Sequence, residues 1–149
     1  HRGKVDLVTL SLWGNDASAF VASCHGDVQC IIDGAPAAIA GIAANLSGIL
    51  RQLHRAAPDA RVVVLGAFDG NVGAFPLTHP IFRQLNVALA AAAADHGARF
   101  ADPMPIFNPE GDTGAALCSL TLLCRDGDLH PSDVGYRALA GLVGYSATY

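Results

Sequence analysis

The chain has 149 residues and a net charge of −4, and 52% of its residues are apolar while 15% are charged. This composition is typical of a globular protein with a hydrophobic core, and it excludes an intrinsically disordered chain. The length suits a single domain over residues 1–149. The nine Lys and Arg residues are scattered. Because phosphate binding needs clustered basic side chains, we expect no nucleic-acid partner.

Strands and helices are predicted to alternate along the chain. Continuous apolar stretches such as Val5–Leu12 and Arg61–Ala67 are typical of strands in a parallel sheet. Apolar residues within Asp33–Ala57 recur at helical spacing, which indicates a helix with one buried face, capped by Asp33. In chain order, the predicted elements are a strand at Val5–Leu12, a loop at Trp13–Ile32, a helix at Asp33–Ala57, a strand at Arg61–Ala67, a loop at Phe68–Thr78, a helix at Pro80–His96, a strand at Ala98–Ala101, an irregular stretch at Asp102–His130 and a helix at Ser132–Val143.

This order predicts a three-layer α/β/α fold with a parallel sheet, of the flavodoxin-like type. Crossovers between parallel strands are right-handed, so the helices are expected to cover both faces of the sheet. The first strand is as apolar as a central strand, yet no earlier element is available to pair with it. An open apolar edge favours aggregation. We therefore expect a preceding segment of the domain, or self-association of the isolated chain through residues 5–12.

The four cysteines form two local pairs, Cys24 with Cys30 and Cys118 with Cys124. Zinc ligands are usually spaced more tightly, so we assign no metal site. Two disulfide-closed loops fit the spacing and indicate an oxidising, extracellular location, whereas four free thiols are the alternative. The chain begins with His1, so a missing signal peptide is uninformative. The Ala-rich run Val87–Ala94 is too short to span a bilayer, and we expect no stable membrane insertion.

Ligands of parallel sheets bind at the carboxyl ends of the strands, where three polar loops are predicted to meet. The first loop carries Asn15, the second carries Asp69, Gly70 and Asn71, and the third carries His130 between acidic neighbours. The second loop is interpreted mainly as a turn, with Gly70 at positive φ. The apolar segment Leu117–Cys124 is expected either to wall an acyl pocket or to pack onto the core.

His130 is the candidate general base, because histidine is the residue type best suited to accept and donate protons near neutral pH. Asp126 and Asp128 flank it, and either carboxylate is a candidate to orient the ring. Asn15 offers an NH2 donor directly after a strand, where it is suited to stabilise an oxyanion. The structural alternative is that Asn15 forms a turn and His130 only begins a helix.

These residues lie in two stretches that resemble motifs of the GDSL/SGNH hydrolases. LVTLSLWGND (Leu7–Asp16) resembles their third block, in which Gly-x-Asn-Asp follows a central strand. DLHPSDVGYRALAGLV (Asp128–Val143) resembles their fifth block, in which acid-x-x-His-Pro opens the last helix. The resemblance covers the whole chain and implies an SGNH-type fold. It also implies that Asn15 is an oxyanion donor and that His130 is the catalytic base.

The sequence departs from that family pattern at three points. The Gly-Asp-Ser-Leu block with the nucleophile, and the second block, are expected before the first strand and are absent. Trp13 stands where the third block has its first Gly, and Gly127 stands where the fifth block has its acid. A backbone carbonyl near Gly127 is therefore a third candidate to orient His130, beside Asp128, which we favour, and Asp126. No serine here lies in a nucleophile elbow, and Ser132 is expected to cap the last helix.

The resemblance implies a carboxylic-ester hydrolase, an esterase or lipase, that acts by Ser-His(-Asp) acyl transfer and needs no metal or organic cofactor. Its substrate is expected to be a small-molecule or lipid ester. Without the nucleophile, this chain by itself is predicted to be inactive. The alternative is a non-catalytic α/β binding module derived from such a hydrolase. A nucleotide-binding domain is disfavoured, because no phosphate-binding glycine motif is present.

Overall fold

The structure of the chain is a computed structural model that describes residues 5–72 and 75–148. Strands and helices alternate over the first two thirds of the sequence, as predicted. In chain order, the elements are β1 Leu7–Leu10, α1 Gly14–Ser23, α2 Val28–Ala56, β2 Arg61–Leu65, α3 Phe75–Asp95, β3 Arg99–Ala101, α4 Met104–Phe107, α5 Ala115–Leu120, β4 Thr121–Leu122, α6 Leu123–Asp126, β5 Asp128–Pro131 and α7 Asp133–Thr148.

The main sheet has three parallel strands in the order β1-β2-β3. Leu7 pairs with Arg61 in the first ladder, and Val63 pairs with Arg99 in the second. Because all three strands run in the same direction, their carboxyl ends meet at one edge of the sheet. The predicted α/β class with a parallel sheet is confirmed.

Successive residues of β2 point to opposite faces of the sheet, and both faces are covered. Val64 packs among the buried residues of α2 and α3, such as Ile42 and Leu89. Val63 packs on the other side with Ala101 and Ala147, which belongs to α7. This alternation explains why β2 is apolar throughout, since a strand buried on both faces needs no polar side. The helices therefore form one layer on each face, as predicted.

The outer edge of β1 has no partner strand among the described residues. Leu7 is 39% exposed and Val5 is 43% exposed. The prediction that this strand is buried is wrong for the chain as it stands, because burial on that side would need a further neighbour. The strand is also shorter than predicted.

The segment Trp13–Ile32, predicted as a loop, is mostly helical. It contains α1 and the first turn of α2, which begins at Val28. Asp27 caps α2 by accepting hydrogen bonds from the backbone N–H groups of Gln29 at 2.9 Å and Cys30 at 3.3 Å. The sequence interpretation placed the cap at Asp33, which instead lies inside the helix. Polar and glycine residues suggested a loop, but such residues are equally suited to a helix start and cap.

Each cysteine pair is joined as a disulfide. Cys24 and Cys30 link the end of α1 to the start of α2, with 5.6 Å between their Cα atoms. Cys118 of α5 and Cys124 of α6 have Cα atoms 5.2 Å apart. Both distances lie in the usual range for disulfides. The alternative of four free thiols is therefore wrong, since the structure leaves no cysteine free.

The stretch Asp102–His130, predicted as irregular, contains short helices and a small hairpin. Strands β4 and β5 pair antiparallel, with Thr121 opposite Pro131. His130 therefore lies on a strand, before α7 begins at Asp133, and not in the closing helix itself. Sequence patterns missed these elements because each is too short to show a period.

Helix α2 is the one described helix whose length and composition would allow it to cross a membrane. Its buried residues Ile39, Ile42, Leu46 and Leu50 form the stripe predicted from their spacing, and they pack into the core with β2 and α3. Core packing accounts for this stripe only, since 17% of the most apolar window of the helix is buried.

Candidate active site

A cleft of about 610 Å³ lies at the carboxyl ends of β1 and β2. It brings together the first turn of α1, the loop after β2 and strand β5. Asn15 and His130, which are far apart in sequence, both line it. Its other lining residues are Trp13, Gly14, Ala17, Ser18, Val21, Ala22, Phe68, Gly70, Asn71, Phe82, Leu129 and Pro131. The meeting of the three predicted loops at this edge is therefore observed.

Asn15 occupies the first turn of α1, which begins at Gly14. The neighbouring Asp16 accepts a hydrogen bond at 3.2 Å from the Nδ2 of Asn45 on α2. Trp13 stacks edge-on against Phe82 of α3, with ring centroids 6.0 Å apart and planes at 90°. The start of α1 is thus fixed on both sides, which positions Asn15 at the cleft.

His130 and Asp128 form a close pair on β5. The Nδ1 of His130 lies 2.5 Å from Oδ1 of Asp128, and the same oxygen accepts the backbone N–H of His130 at 2.9 Å. With the proton on Nδ1, the ring donates to Asp128 and leaves Nε2 as an acceptor. The His130 side chain is 76% exposed.

The pKa of Asp128 is held below its ordinary value. The largest cause is the hydrogen bond from the backbone N–H of His130, and the bond from the His130 side chain acts in the same direction. The carboxylate therefore keeps its negative charge beside the ring over the neutral pH range. A charged acceptor at Nδ1 favours the tautomer that is needed for a base at Nε2.

Asp126 is paired with Arg125 and not with His130. Its carboxylate binds the Nε of Arg125 at 2.9–3.0 Å and the Nη2 at 2.7 Å, which lowers its pKa. Gly127 follows with φ at +69°, a left-handed conformation that ends α6 and turns the chain into β5. Of the three groups considered from sequence to orient His130, the carboxylate of Asp128 is the one that contacts its ring nitrogen.

Asp69, in the loop after β2, is fully buried. Its carboxylate accepts the Oγ1–H of Thr78 at 2.6 Å, lies 2.6 Å from Nδ1 of His79 and accepts the backbone N–H of Asn71 at 2.9 Å. The sequence interpretation treated Asp69 as a turn residue. Asp69 does form that turn, and it also ties the loop to α3.

Two buried amide side chains hold the same loop from behind. Asn108 accepts the backbone N–H of Asp69 at 2.8 Å and donates to its carbonyl at 2.9 Å. Asn86 does the same for Ala67, at 2.7 and 2.9 Å, and also donates to Asp102. Each amide side chain makes the pair of hydrogen bonds to this loop that the backbone of a neighbouring strand would otherwise make. Asn86 lies in the middle of α3 and Asn108 follows α4, so no sequence motif marked either residue.

Gly70 lies under the side chain of Leu129, the residue before His130. A Cβ atom at position 70 would collide with Leu129. The prediction that Gly70 has a positive φ is wrong, because the left-handed glycines of the described chain are others. The absence of a side chain at Gly70 instead allows close contact between its loop and β5.

Ser18, on α1, is a lining residue of the cleft. Among the described residues, no hydrogen bond joins a serine hydroxyl to His130. Ser132 accepts the backbone N–H of Gly135 at 3.2 Å, which confirms its predicted role as the cap of α7. Ser18 therefore shares the cleft with His130 but makes no hydrogen bond to it.

Leu117, in the apolar segment Leu117–Cys124, is fully buried and packs with Phe107 and Leu139. This segment contributes no residue to the cleft, so core packing is the correct one of its two predicted roles. Within residues 5–72 and 75–148, no three His, Cys, Asp or Glu side chains lie close enough to hold a metal ion.

The fold of this chain matches that of α/β proteins with solved structures. The extracellular lipase of Streptomyces rimosus superposes with a TM-score of 0.70 at 22% identity, covering 95% of this chain and 70% of that protein. Phospholipase A1 of Streptomyces albidoflavus superposes with a TM-score of 0.69 at 22% identity, covering 98% of this chain and 72% of that protein. The likeness shows that the chain has their fold.

The sequence itself identifies the family. Residues 1–138 match the model of the GDSL-like Lipase/Acylhydrolase family. The chain therefore belongs to that family, as its two sequence motifs indicated. No protein with a curated description is similar enough to this sequence to count as a match.

Proposed function

We propose that this chain carries most of the active site of a carboxylic-ester hydrolase, an esterase or lipase that acts by acyl transfer. The observation that carries the proposal is that Asn15 and His130 line one cleft, and that Asp128 contacts Nδ1 of His130. One cleft thus holds an amide donor and a base whose ring is oriented by a carboxylate. These are two of the three groups that such catalysis needs.

In this proposal, His130 is the general base and Asp128 is its orienting acid. The carboxylate keeps the proton on Nδ1, so Nε2 is free to accept a proton from a hydroxyl nucleophile. It also stabilises the imidazolium that forms during the reaction. The exposure of the ring at the cleft leaves Nε2 accessible to substrate and nucleophile.

Asn15 is proposed to bind the oxyanion of the tetrahedral intermediate. Its side-chain NH2 is a donor, and the first backbone N–H groups of α1 have no partner within the helix. The N-terminal end of a helix also carries partial positive charge. Both effects favour negative charge at the cleft, where Gly14 and Asn15 lie.

The nucleophilic serine is proposed to lie on a preceding strand that pairs with β1. The outer edge of β1 is free among the described residues. A second groove of about 690 Å³ lies beside the end of β1, lined by Ser11, Leu12 and residues of α2 such as Gly48. A strand added there would end at the same edge of the sheet as Asn15. Residues 1–149 are then most of one SGNH-type domain.

The reaction begins when the serine Oγ attacks the ester carbonyl and its proton passes to Nε2 of His130. The C–O bond to the alcohol then breaks, and the alcohol leaves with that proton. Water next attacks the acyl-enzyme, giving its proton to His130. The serine Oγ leaves with that proton, which releases the carboxylic acid. No metal or organic cofactor takes part in these steps.

We further propose that the protein is secreted and acts on small-molecule or lipid esters outside the cell. Two disulfides support this location, since such bonds persist in oxidising compartments. The Streptomyces rimosus protein of the same fold is described as an extracellular lipase. The net charge of −4 gives no support for a nucleic-acid partner.

The test is ester hydrolysis by the complete domain, meaning this chain extended by whatever its gene encodes upstream of His1. With p-nitrophenyl butanoate, His130→Ala is expected to lower kcat by about 10⁴-fold or more. Asn15→Ala is expected to lower it by about 10²–10³-fold. His54→Ala, a surface change on α2, serves as the control and should leave the rate unchanged. Wild-type rates in His130→Ala would overturn the proposal.

The alternative is a binding module that has lost catalysis, and two measurements separate it from the esterase. A gene without a serine-bearing segment upstream, together with no labelling by a fluorophosphonate, would favour the binding module. Labelling of Ser18 in residues 1–149 alone, abolished by Ser18→Ala, would instead move the nucleophile into this chain. We expect neither labelling nor turnover from residues 1–149, and we expect this isolated chain to self-associate through β1.

A further inference from the structure

A second, apolar cavity of about 150 Å³ lies between α1, α2 and α3. Its walls consist almost wholly of aliphatic and aromatic side chains, among them Phe20, Ile31, Ile39, Ile42 and Leu85. Ile39, Ile42 and Leu85 belong to the core, whereas Ile31 is half-buried near the Cys24–Cys30 disulfide. An apolar space of this kind favours a hydrocarbon group over water.

This cavity and the cleft are neighbours. Ala17, Val21, Asn71 and Phe82 border both of them. Ala17 and Val21 lie on α1, the helix whose first turn carries Asn15. A ligand whose carbonyl lies near Asn15 and His130 is therefore adjacent to an apolar space that shares these side chains with the cleft.

The size of the cavity limits what it can hold. An apolar protein cavity of about 150 Å³ is known to admit benzene, a group of six carbons. The volume here is the same, so its capacity is about six carbon atoms. Long acyl chains would exceed this space, while an acetyl group would leave most of it empty.

We propose that the cavity between α1, α2 and α3 is the acyl-chain site and sets a preference for acyl groups of about six carbons. This inference rests on the proposed esterase function, because the cleft must hold the carbonyl. The side chains that line both spaces set the direction of the acyl chain. It runs from the cleft past Val21 and Phe82 towards Ile31 and Leu85.

Chain-length dependence follows from burial of methylene groups. Each methylene that enters the cavity strengthens binding about fourfold, and this gain ends when the cavity is full. Binding affinity should therefore rise as the acyl group lengthens from two carbons to about six, and then level or fall.

Two substitutions change the cavity in opposite directions. Ala35→Leu adds carbon atoms from a buried position on α2, whereas Ile31→Ala removes them from the far wall. Ala40→Leu is the matched control, because Ala40 lies on the exposed side of α2 and does not line the cavity. Thermal unfolding of each variant verifies that it folds.

The first experiment measures binding without catalysis. Acetate, butanoate, hexanoate and decanoate are titrated into the complete domain, and amide shifts are followed by NMR. Hexanoate is expected to bind most tightly and to shift residues 17, 21, 39 and 85. Ala35→Leu should weaken hexanoate binding by about tenfold or more and leave acetate binding unchanged, and Ala40→Leu should change neither. Equal binding of hexanoate in Ala35→Leu and wild type would overturn the proposal.

The second experiment separates the cavity from the proposed function. In the complete domain, p-nitrophenyl esters of two to sixteen carbons should give a maximum of kcat/KM near six. The maximum should move to shorter chains in Ala35→Leu and to longer chains in Ile31→Ala. If all variants turn over esters with the same dependence on chain length, the acyl-site proposal is wrong and the esterase proposal stands. No turnover, but size-selective carboxylate binding, would reject the esterase and keep the cavity.

Discussion

The side chain of Leu129 occupies the space that a Cβ atom on Gly70 would need. This contact joins the loop after β2 to β5, and the next residue of β5 is His130. The loop is itself fixed by Asp69 and by Asn108 behind it. The position of the proposed base therefore depends on a chain of contacts that begins in the core.

Gly70→Ala tests this dependence. The added methyl group forces Leu129 to move, and since Leu129 is 49% exposed it is able to do so without unfolding the protein. We expect the kcat of the complete domain to fall about tenfold as His130 shifts, since small displacements of a catalytic group are costly. The melting temperature should change little. Unchanged turnover would show that the contact does not position His130.

Asp128→Asn and Asp126→Asn form a matched pair. Asp128 contacts Nδ1 of His130, whereas Asp126 is bonded to Arg125. We expect Asp128→Asn to lower kcat by about 10²-fold or more, because an amide no longer fixes the tautomer or balances the imidazolium charge. Asp126→Asn should remain near wild type. Equal, near-wild-type rates in both variants would instead favour orientation of His130 by a backbone carbonyl.

The titration of Asp128 is predicted to differ from that of a free carboxyl. Its pKa lies below the ordinary 3.8 because the His130 backbone N–H and then the ring stabilise the carboxylate. A carboxyl whose pKa is lower in the folded than in the unfolded protein stabilises the fold at pH values above the unfolded-state pKa. This stabilisation is lost as the pH falls through the folded-state pKa. ¹³C NMR should give an Asp128 midpoint below 3.8, raised partway in His130→Ala, where the backbone bond remains. A wild-type midpoint at or above 3.8 would contradict the geometry.

Asn108→Ala is predicted to destabilise the protein. It leaves the buried N–H and C=O of Asp69 without the partners that Asn108 supplies at 2.8 and 2.9 Å. Each unsatisfied buried group costs about 1–3 kcal/mol, so the free energy of unfolding should fall by about 2–6 kcal/mol. Urea unfolding measures this, with Asn45→Ala as an exposed control. A loss no larger than the control's would mean that water replaces the amide.

Gly135→Ala and Gly141→Ala, both in α7, should change stability in opposite directions. A Cβ atom at Gly135 would collide with the backbone carbonyl of Leu120, which cannot rotate away. Overpacking of this kind costs about 1–3 kcal/mol or more. Gly141 has no atom within 4 Å of the added carbon. Gly141→Ala should therefore stabilise the protein by about 0.4–1 kcal/mol, and denaturant unfolding compares the two.

Strong periodic patterns identified the long elements correctly. The apolar stripe of α2 and the continuous run of β2 depend on burial of whole faces, which is visible in sequence. Helix α1 was missed because it has no fully buried residue and thus no apolar stripe to detect. Strand β5 was missed because four residues show no period. The start of α2 also differs from the predicted one, because Asp27 and not Asp33 caps the helix.

The sequence alone determined the family, the order of the three main strands and the long helices, the spacing of the four cysteines and the candidates Asn15, Asp128 and His130, because these follow from short motifs and local periodicity. Only the tertiary structure decided that Asp128 and not Asp126 meets His130, and that Gly70 lies beneath Leu129. It alone showed the buried contacts of Asp69 and the apolar cavity behind the cleft. These features depend on side chains from distant segments meeting in space, and no local pattern encodes such distances.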